Sequence, residues 1–213
     1  MALRINLATE KLDIAVDTAV RNINAGEVIV APSEFGYIYL CDAFNKDAVK
    51  ALHILRGDAE GVAAQVFIKD VSVLTGLIKS LSNEIKILTE TFWPGALSIT
   101  FNSNPSLSWN LGDGGGLGKV SIRIPNHNFL LEVLKNTGPL AAASAALTGK
   151  AAVLDLESLP IYESDIGVIF TDGLLTSAGR STVVDATGSQ LKIKRSGVIG
   201  DKEISAVIPN ILN

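Results

Sequence analysis

The chain has 213 residues, 47% hydrophobic and 19% charged, which excludes a disordered protein and allows one substantial core. A net charge of −4 and a pI near 5.2 argue against a protein that coats nucleic acid but leave room for a local basic pocket. Cys41 is the only cysteine, no run reaches the roughly 18 apolar residues of a membrane span, and "MALRINLATEKLDIAV" is charged where a secretory leader is apolar, so a cytoplasmic protein is expected.

Leu12, Ala15, Val16, Ala19, Val20 and Ile23 recur at helical spacing, with Gly26 as a stop. "EVIVAPS" predicts a short strand. Beyond it, "PSEFGYIYLCDA" from Pro32 to Ala43 sets a hydroxyl, an acid and two tyrosines at a strand end, which packing alone does not call for and which leaves open an active-site edge or the remains of one. "NKDAVKALHILRG" predicts a second helix and "AQVFIK" a strand, followed by helices over "VSVLTGLIKSL" and "NEIKILTETF". "ALSITF" and "KVSIRI" are strands, and "FLLEVLKNTG" is an amphipathic helix ending at Gly138. "PLAAAS", "IGVIFTD", "STVVDAT" and "LKIKR" supply four more strands, and "KEISAVIPNILN" closes the chain as a short helix or extended tail. Interleaved strands and helices, with several strands apolar on both faces, predict one α/β domain over residues 1–213. Its core runs from about residue 14 to 199, and 200–213 form a C-terminal tail.

"GDGGGLGK" at 112–119 leads into a strand, whereas a phosphate-binding Walker loop leads into a helix, so a strand connector is expected. Two histidines, His53 and His127, and one cysteine show no ligand spacing, and no metal site is expected. His53 faces solvent or fills a crevice. "FWPGALS" at 92–98 is a packed turn or a pocket wall. In "SIRIPNH" at 121–127, Arg123 between isoleucines calls for an anionic partner, and a salt bridge to a nearby carboxylate is the favoured reading. "GRSTVVDAT" and "LKIKRSG" place Arg180, Lys192, Lys194 and Arg195 close together in sequence. Alternation points Lys192 and Lys194 to one face and Ile193 and Arg195 to the other, as a solvated edge strand or a basic pocket.

Taken in order, these stretches resemble the YrdC-like family, the threonylcarbamoyl-AMP synthases of tRNA modification. "PSEFGYIYLCDA" is similar to the family's P-T-D-T-x-Y-G-L-x-C-D-A, "FWPGALS" to F-W-P-G-P-L-T, and "SIRIPNH" to V-R-x-P-x-H. "PLAAASAALTG" is similar to P-L-A-A-P-S-A-N-x-S-G, "GRSTVVDAT" to S-T-I-V-D, and "KRSGVI" to L-R-x-G-x-I. The likeness runs from about Ile14 to Ile199. It implies a twisted mixed sheet flanked by helices around a concave pocket. It also implies synthesis of threonylcarbamoyl-AMP and pyrophosphate from ATP with magnesium, L-threonine and bicarbonate. Under the resemblance Ser33, Tyr37, Arg56, Ser98, Arg123, Ser144, Ser181 and Arg195 bind nucleotide or substrate, with no tightly bound metal.

The departures fall on the chemistry. The family's K-G-R-P becomes Arg56-Gly57-Asp58-Ala59, so an anion stands where a phosphate-binding cation is expected. At about 5 Å and an effective dielectric of about 20, each charge unit is worth roughly 3 kcal/mol against one phosphate charge. The family's S-x-N becomes Ser144-Ala145-Ala146, which removes an amide. Phe35 and Ile38 put bulk where the family has threonine and glycine. The expectation is a synthase of weakened or lost activity that regains ATP affinity in Asp58→Arg with Ala146→Asn. The alternative is a non-catalytic paralogue binding nucleotide or double-stranded RNA, with Arg56, Arg123, Arg180, Lys192, Lys194 and Arg195 as a local basic surface and RNA or tRNA-modification proteins as partners.

Overall fold

A computed structural model describes residues 2–159, 165–176 and 179–211. Strand β1 (Leu3–Asn6) is followed by helix α1 (Leu12–Asn24), and strands β2 (Ile29–Ser33) and β3 (Gly36–Asp42) by helix α2 (Lys46–Arg56). Next come β4 (Gln65–Phe67), the single turn α3 (Leu74–Leu77), α4 (Asn83–Phe92), β5 (Leu97–Asn102) and β6 (Lys119–Arg123). The chain continues through α5 (Asn128–Thr137), β7 (Leu140–Ser144), β8 (Val168–Thr171), β9 (Thr182–Asp185), β10 (Lys192–Arg195) and α6 (Asp201–Val207). Local chemistry sets several boundaries. The Asn45 side chain caps α2 by accepting from the Asp47 and Ala48 amides, and Gly57 ends that helix in the left-handed region. Ser82 caps α4 through the Ile85 amide.

The strands form one mixed sheet in the order β1-β8-β2-β3-β7-β4-β6-β5-β9-β10. Four pairs are parallel (β1 with β8, β8 with β2, β4 with β6, β5 with β9) and the other five antiparallel. Two apolar layers cover its faces. Ile29, Ala31, Ile38, Leu40, Val168 and Phe170 pack with α1 and α5, while Val30, Tyr37, Tyr39 and Cys41 face the layer that includes α2 and α4. Burial in the second layer pushes the Cys41 thiol up to about 12.

Three elements differ from the sequence expectation. "PSEFGYIYLCDA" contains a whole strand, β3, buried on both faces; no polar alternation announces it, because both neighbours and both layers are apolar. Strand β1 was also unannounced, since only Ile5 of its four residues is buried. The helix expected over "VSVLTGLIKSL" is one 3-10 turn, Val71–Val73, plus α3; it stops because Ile78 turns extended and bridges to Ser103. At the chain end Ile204, Ile208 and Ile211 are buried in the same core as the central strands.

Candidate functional site

A cleft of about 870 Å³ opens in the structure, with a smaller cavity of about 340 Å³ sharing the wall formed by Gln65, Ala142, Ala143, Ser144, Ser181 and Arg195. Its polar groups come from the ends of strands. Ser33 closes β2, Ser144 closes β7, Arg123 closes β6 and Arg195 closes β10, while Gln65 opens β4 and Ser181 immediately precedes β9. Gly36, at φ +117° where β3 begins, sits where a Cβ would meet the Val153 carbonyl at 2.8 Å and Ala152 of the cleft wall at 3.1 Å; glycine permits that approach.

Arg123, 3% exposed, pairs with Glu34 and donates Nε to the Gly95 carbonyl at 2.8 Å. The favoured reading of this arginine, a salt bridge, holds, and the partner belongs to the first motif. "FWPGALS" supplies the support behind it: Gly95 accepts from Arg123, and Trp93 Nε1 donates to the Leu97 carbonyl at 2.6 Å. Phe35 lies over the guanidinium at 4.3 Å, with Phe67 at 5.7 Å. Burial pushes the Arg123 guanidinium below its ordinary range, against the opposing pull of Glu34. Phe35 and Ile38 both line the cleft.

A hydrogen-bonded chain crosses the other side. Gln65 Nε2 donates to Ser98 Oγ at 2.7 Å, Ser98 Oγ donates to Ser181 Oγ at 3.0 Å, and Arg195 Nη2 donates to the Ser181 carbonyl and hydroxyl at 3.0 and 3.1 Å. Gly197 permits this closure: a Cβ there would meet the Arg180 carbonyl at 2.4 Å. A register shift between Ile193 and Arg195 breaks the simple alternation expected of "LKIKR".

The Arg56–Asp58 segment is engaged within the protein. Arg56 donates Nε to Asp58 at 3.0 Å and Nη1 to the Ser144 carbonyl and, at 3.1 Å, to the Ala146 carbonyl. Asp58 also accepts from His53 Nδ1 at 2.8 Å and from the Thr148 hydroxyl. His53 therefore fills a crevice, with Nε2 at 2.8 Å from the Leu111 carbonyl. Burial pushes the Asp58 carboxyl up, but hydrogen bonds from Thr148, His53 and Arg56 outweigh it and hold the group below the usual carboxylate range. The glycine-rich connector packs here as well: Gly112 approaches His53 so closely that a Cβ would fall 2.1 Å from Nε2.

Of the residues expected at the site, Ser33, Arg123, Ser144, Ser181 and Arg195 line the main cleft, and Arg56 lines the smaller cavity. Ser98 is fully buried behind the wall. Tyr37 is not on the wall; its hydroxyl donates to the Gly173 carbonyl at 2.6 Å and accepts from the Asp172 amide at 3.0 Å, tying β3 to the loop after β8. Ala146 is buried and does not line the cleft. Gln65 and Lys150 line it without having been anticipated; neither sits in a motif with a chemical signature. The buried Ser144 Oγ has no partner among the described residues. Of the cations expected to share a basic surface, Arg123, Arg180 and Arg195 line the main cleft, while Arg56 and Arg123 lie in internal ion pairs and Lys194 leans on Asp185 at 3.6 Å. Among the described residues no cluster of three or more His, Cys, Asp or Glu side chains could hold a metal, and no helix is long and apolar enough to cross a membrane.

An open α/β cleft of this kind, walled by strand-end serines and arginines, defines a class of proteins, and comparison identifies it. Residues 21–197 match the profile of the Sua5/YciO/YrdC family, described as telomere recombination. The chain belongs to that family. A Mycobacterium tuberculosis protein named for threonylcarbamoyl-AMP synthase is 32% identical over 93% of this chain and 91% of its own length. The threonylcarbamoyl-AMP synthase of Bacillus subtilis is 33% identical over 95% of this chain and 58% of its own. Two structures of Pyrococcus abyssi Sua5, the second a complex with L-threonine, superpose with TM-scores of 0.90 and 0.87 at 26% and 24% identity. Each covers all of this chain, which spans 62% of theirs.

Proposed function

We propose that the cleft binds ATP, as its magnesium complex, with L-threonine, and makes threonylcarbamoyl-AMP and pyrophosphate at a reduced rate. The observation that carries this reading is the charge of the cleft. Arg123, Lys150, Arg180 and Arg195 line it, and no carboxylate does among the described residues. The names of the Mycobacterium and Bacillus relatives support the reaction, and the Pyrococcus protein of the same fold was solved with L-threonine. In the reaction a carbamate oxygen of threonine and bicarbonate attacks the α-phosphate, and negative charge moves onto departing pyrophosphate. Arg195, anchored on Ser181, offers a preorganised positive group to that charge. Arg123, held by Glu34 and Gly95 and covered by Phe35, offers the remaining in-plane N–H groups of a fixed guanidinium to the carboxylate end of an amino acid.

Rate is lost at the Arg56 edge, where the cation is committed to Asp58 and to two carbonyls. Missing one preorganised donor costs on the order of 10²–10³ in turnover. The same observation favours a second reading, a paralogue that keeps nucleotide binding without the reaction. Pyrophosphate release, measured with ATP, magnesium and bicarbonate in the presence and absence of L-threonine, separates the two. Threonine-dependent release establishes a synthase. No release, alongside measurable ATP or AMP binding, establishes the paralogue and sinks the synthase reading.

A further inference from the structure

The Arg56–Asp58 edge has little to give a polyphosphate. Each bond made by Arg56 runs to a group of the protein itself, and the Asp58 carboxylate, with its side chain 3% exposed, is filled by His53, Arg56 and Thr148. A phosphate drawing on Arg56 has to displace charge-assisted bonds that also hold residues 144–148 in place.

A second set of cations has no carboxylate partner among the described residues, although one of them, Arg195, is anchored on Ser181. Lys150 comes from the loop after β7, Arg180 from the loop before β9, and Arg195 from the end of β10; all three line the main cleft. No ion pair ties Lys150 or Arg180 to another described residue, and both are exposed. The backbone keeps Arg180 close to Arg195. The Val198 amide donates to the Arg180 carbonyl at 3.0 Å, Gly197 packs against that carbonyl, and Arg195 Nη2 reaches the neighbouring Ser181 carbonyl at 3.0 Å. Burial and then the charge of Arg180 push the Arg195 guanidinium below its ordinary range, a like-charge strain that a bound polyanion relieves.

We infer that Lys150 and Arg180, beside Arg195, hold the terminal phosphates of a nucleoside triphosphate in this chain, in place of the Arg56–Asp58 edge. The inference rests on the proposed reading of the cleft as a nucleotide site. It makes Lys150 and Arg180 the residues that distinguish a triphosphate from a monophosphate, because only the triphosphate carries charge beyond the α-position.

The test is calorimetric titration of ATP, AMP and inorganic tripolyphosphate into three proteins: wild type, Lys150→Ala/Arg180→Ala, and the charge-keeping Lys150→Arg/Arg180→Lys. Both positions are exposed, so thermal melts should confirm an intact fold. In the alanine pair ATP and tripolyphosphate affinity should fall together by roughly a hundredfold, about tenfold per charged hydrogen-bonding group. AMP affinity should change by less than about threefold, and the charge-keeping pair should retain most ATP affinity. ATP affinity within about twofold of wild type in the alanine pair overturns this inference while leaving the nucleotide cleft standing. An equal loss of AMP affinity overturns it too, by placing the two cations on the shared α-phosphate. If the wild type binds none of the three ligands, the reading of the cleft falls with it.

Discussion

Three donors converge on the Asp58 carboxylate, from His53, Arg56 and Thr148, and its side chain is 3% exposed. Removing it leaves Arg56 and His53 without their acceptor in a half-closed site. Breaking a buried pair from one side costs about 3–5 kcal/mol. Asp58→Ala should therefore lower unfolding free energy by about 3 kcal/mol in urea titrations; a loss below about 1 kcal/mol would show the cluster to be a surface ornament. The restoring pair Asp58→Arg with Ala146→Asn, expected from sequence to raise ATP affinity, meets the same contacts. It sets a second guanidinium against Arg56 and His53 and puts an amide at a position 3% exposed in the core. The expected outcome is a lower melting temperature than wild type, without the gain in ATP binding. The charge reversal at Asp58 is absorbed inside the protein, and Arg56 is captured with it.

Helix α6 and the residues after it bring Ile204, Ile208 and Ile211 into the core, at 0, 5 and 9% exposure. Full burial of an aliphatic side chain contributes about 1.5–3 kcal/mol, and a domain's total stability is about 5–15 kcal/mol. A chain ending at Gly200 should lose most of its stability, read as collapse of the cooperative urea transition. A truncated chain that unfolds at the wild-type midpoint would mean these isoleucines contribute nothing to the fold. The helix matters to the cleft as well, because Ile199, two residues before it, accepts from Thr182 Oγ1 at 2.6 Å beside Ser181.

Across the molecule, His127 and Asp58 are two of the groups that make stability depend on pH, with the lowered carboxyls of Asp70 and Asp185 adding to the acid side. Burial holds the His127 ring below its ordinary value, despite Glu34 and Asp172 pulling the other way, and its Nδ1 has no partner among the described residues. The unfolded chain takes up that proton near pH 6.5 while the folded chain resists it. This contribution is complete above about pH 6.5 and is lost as pH falls toward the depressed folded value. The Asp58 contribution is complete above about pH 4 and is lost as pH falls through its lowered folded value. Thermal melts should show two successive declines on acidification. His127→Gln should flatten the upper one and leave the lower; an unchanged upper decline in that variant would assign it to another group.

Periodicity and turn chemistry were enough to place most strands and five of the six helices or their positions, and the order of short motifs was enough to indicate the family. These are local signals, written in residues near one another in the chain. Strand β3 escaped because a strand buried on both faces carries no alternation, and β1 because its side chains are mostly exposed. Arg123 announced its need for an anion, but Glu34 lies 89 positions away, and only the pairing of distant strands brings the two together. Likewise the letters at 56 and 58 read as a gained anion facing a phosphate. The tertiary structure turns that anion inward, onto a histidine five residues before it and a threonine 90 residues after it. Sequence by itself determined the elements and the kinship of this protein. The charge each side chain presents to a ligand was decided by the fold, because a charge acts through its partners, and those partners are distant in the chain.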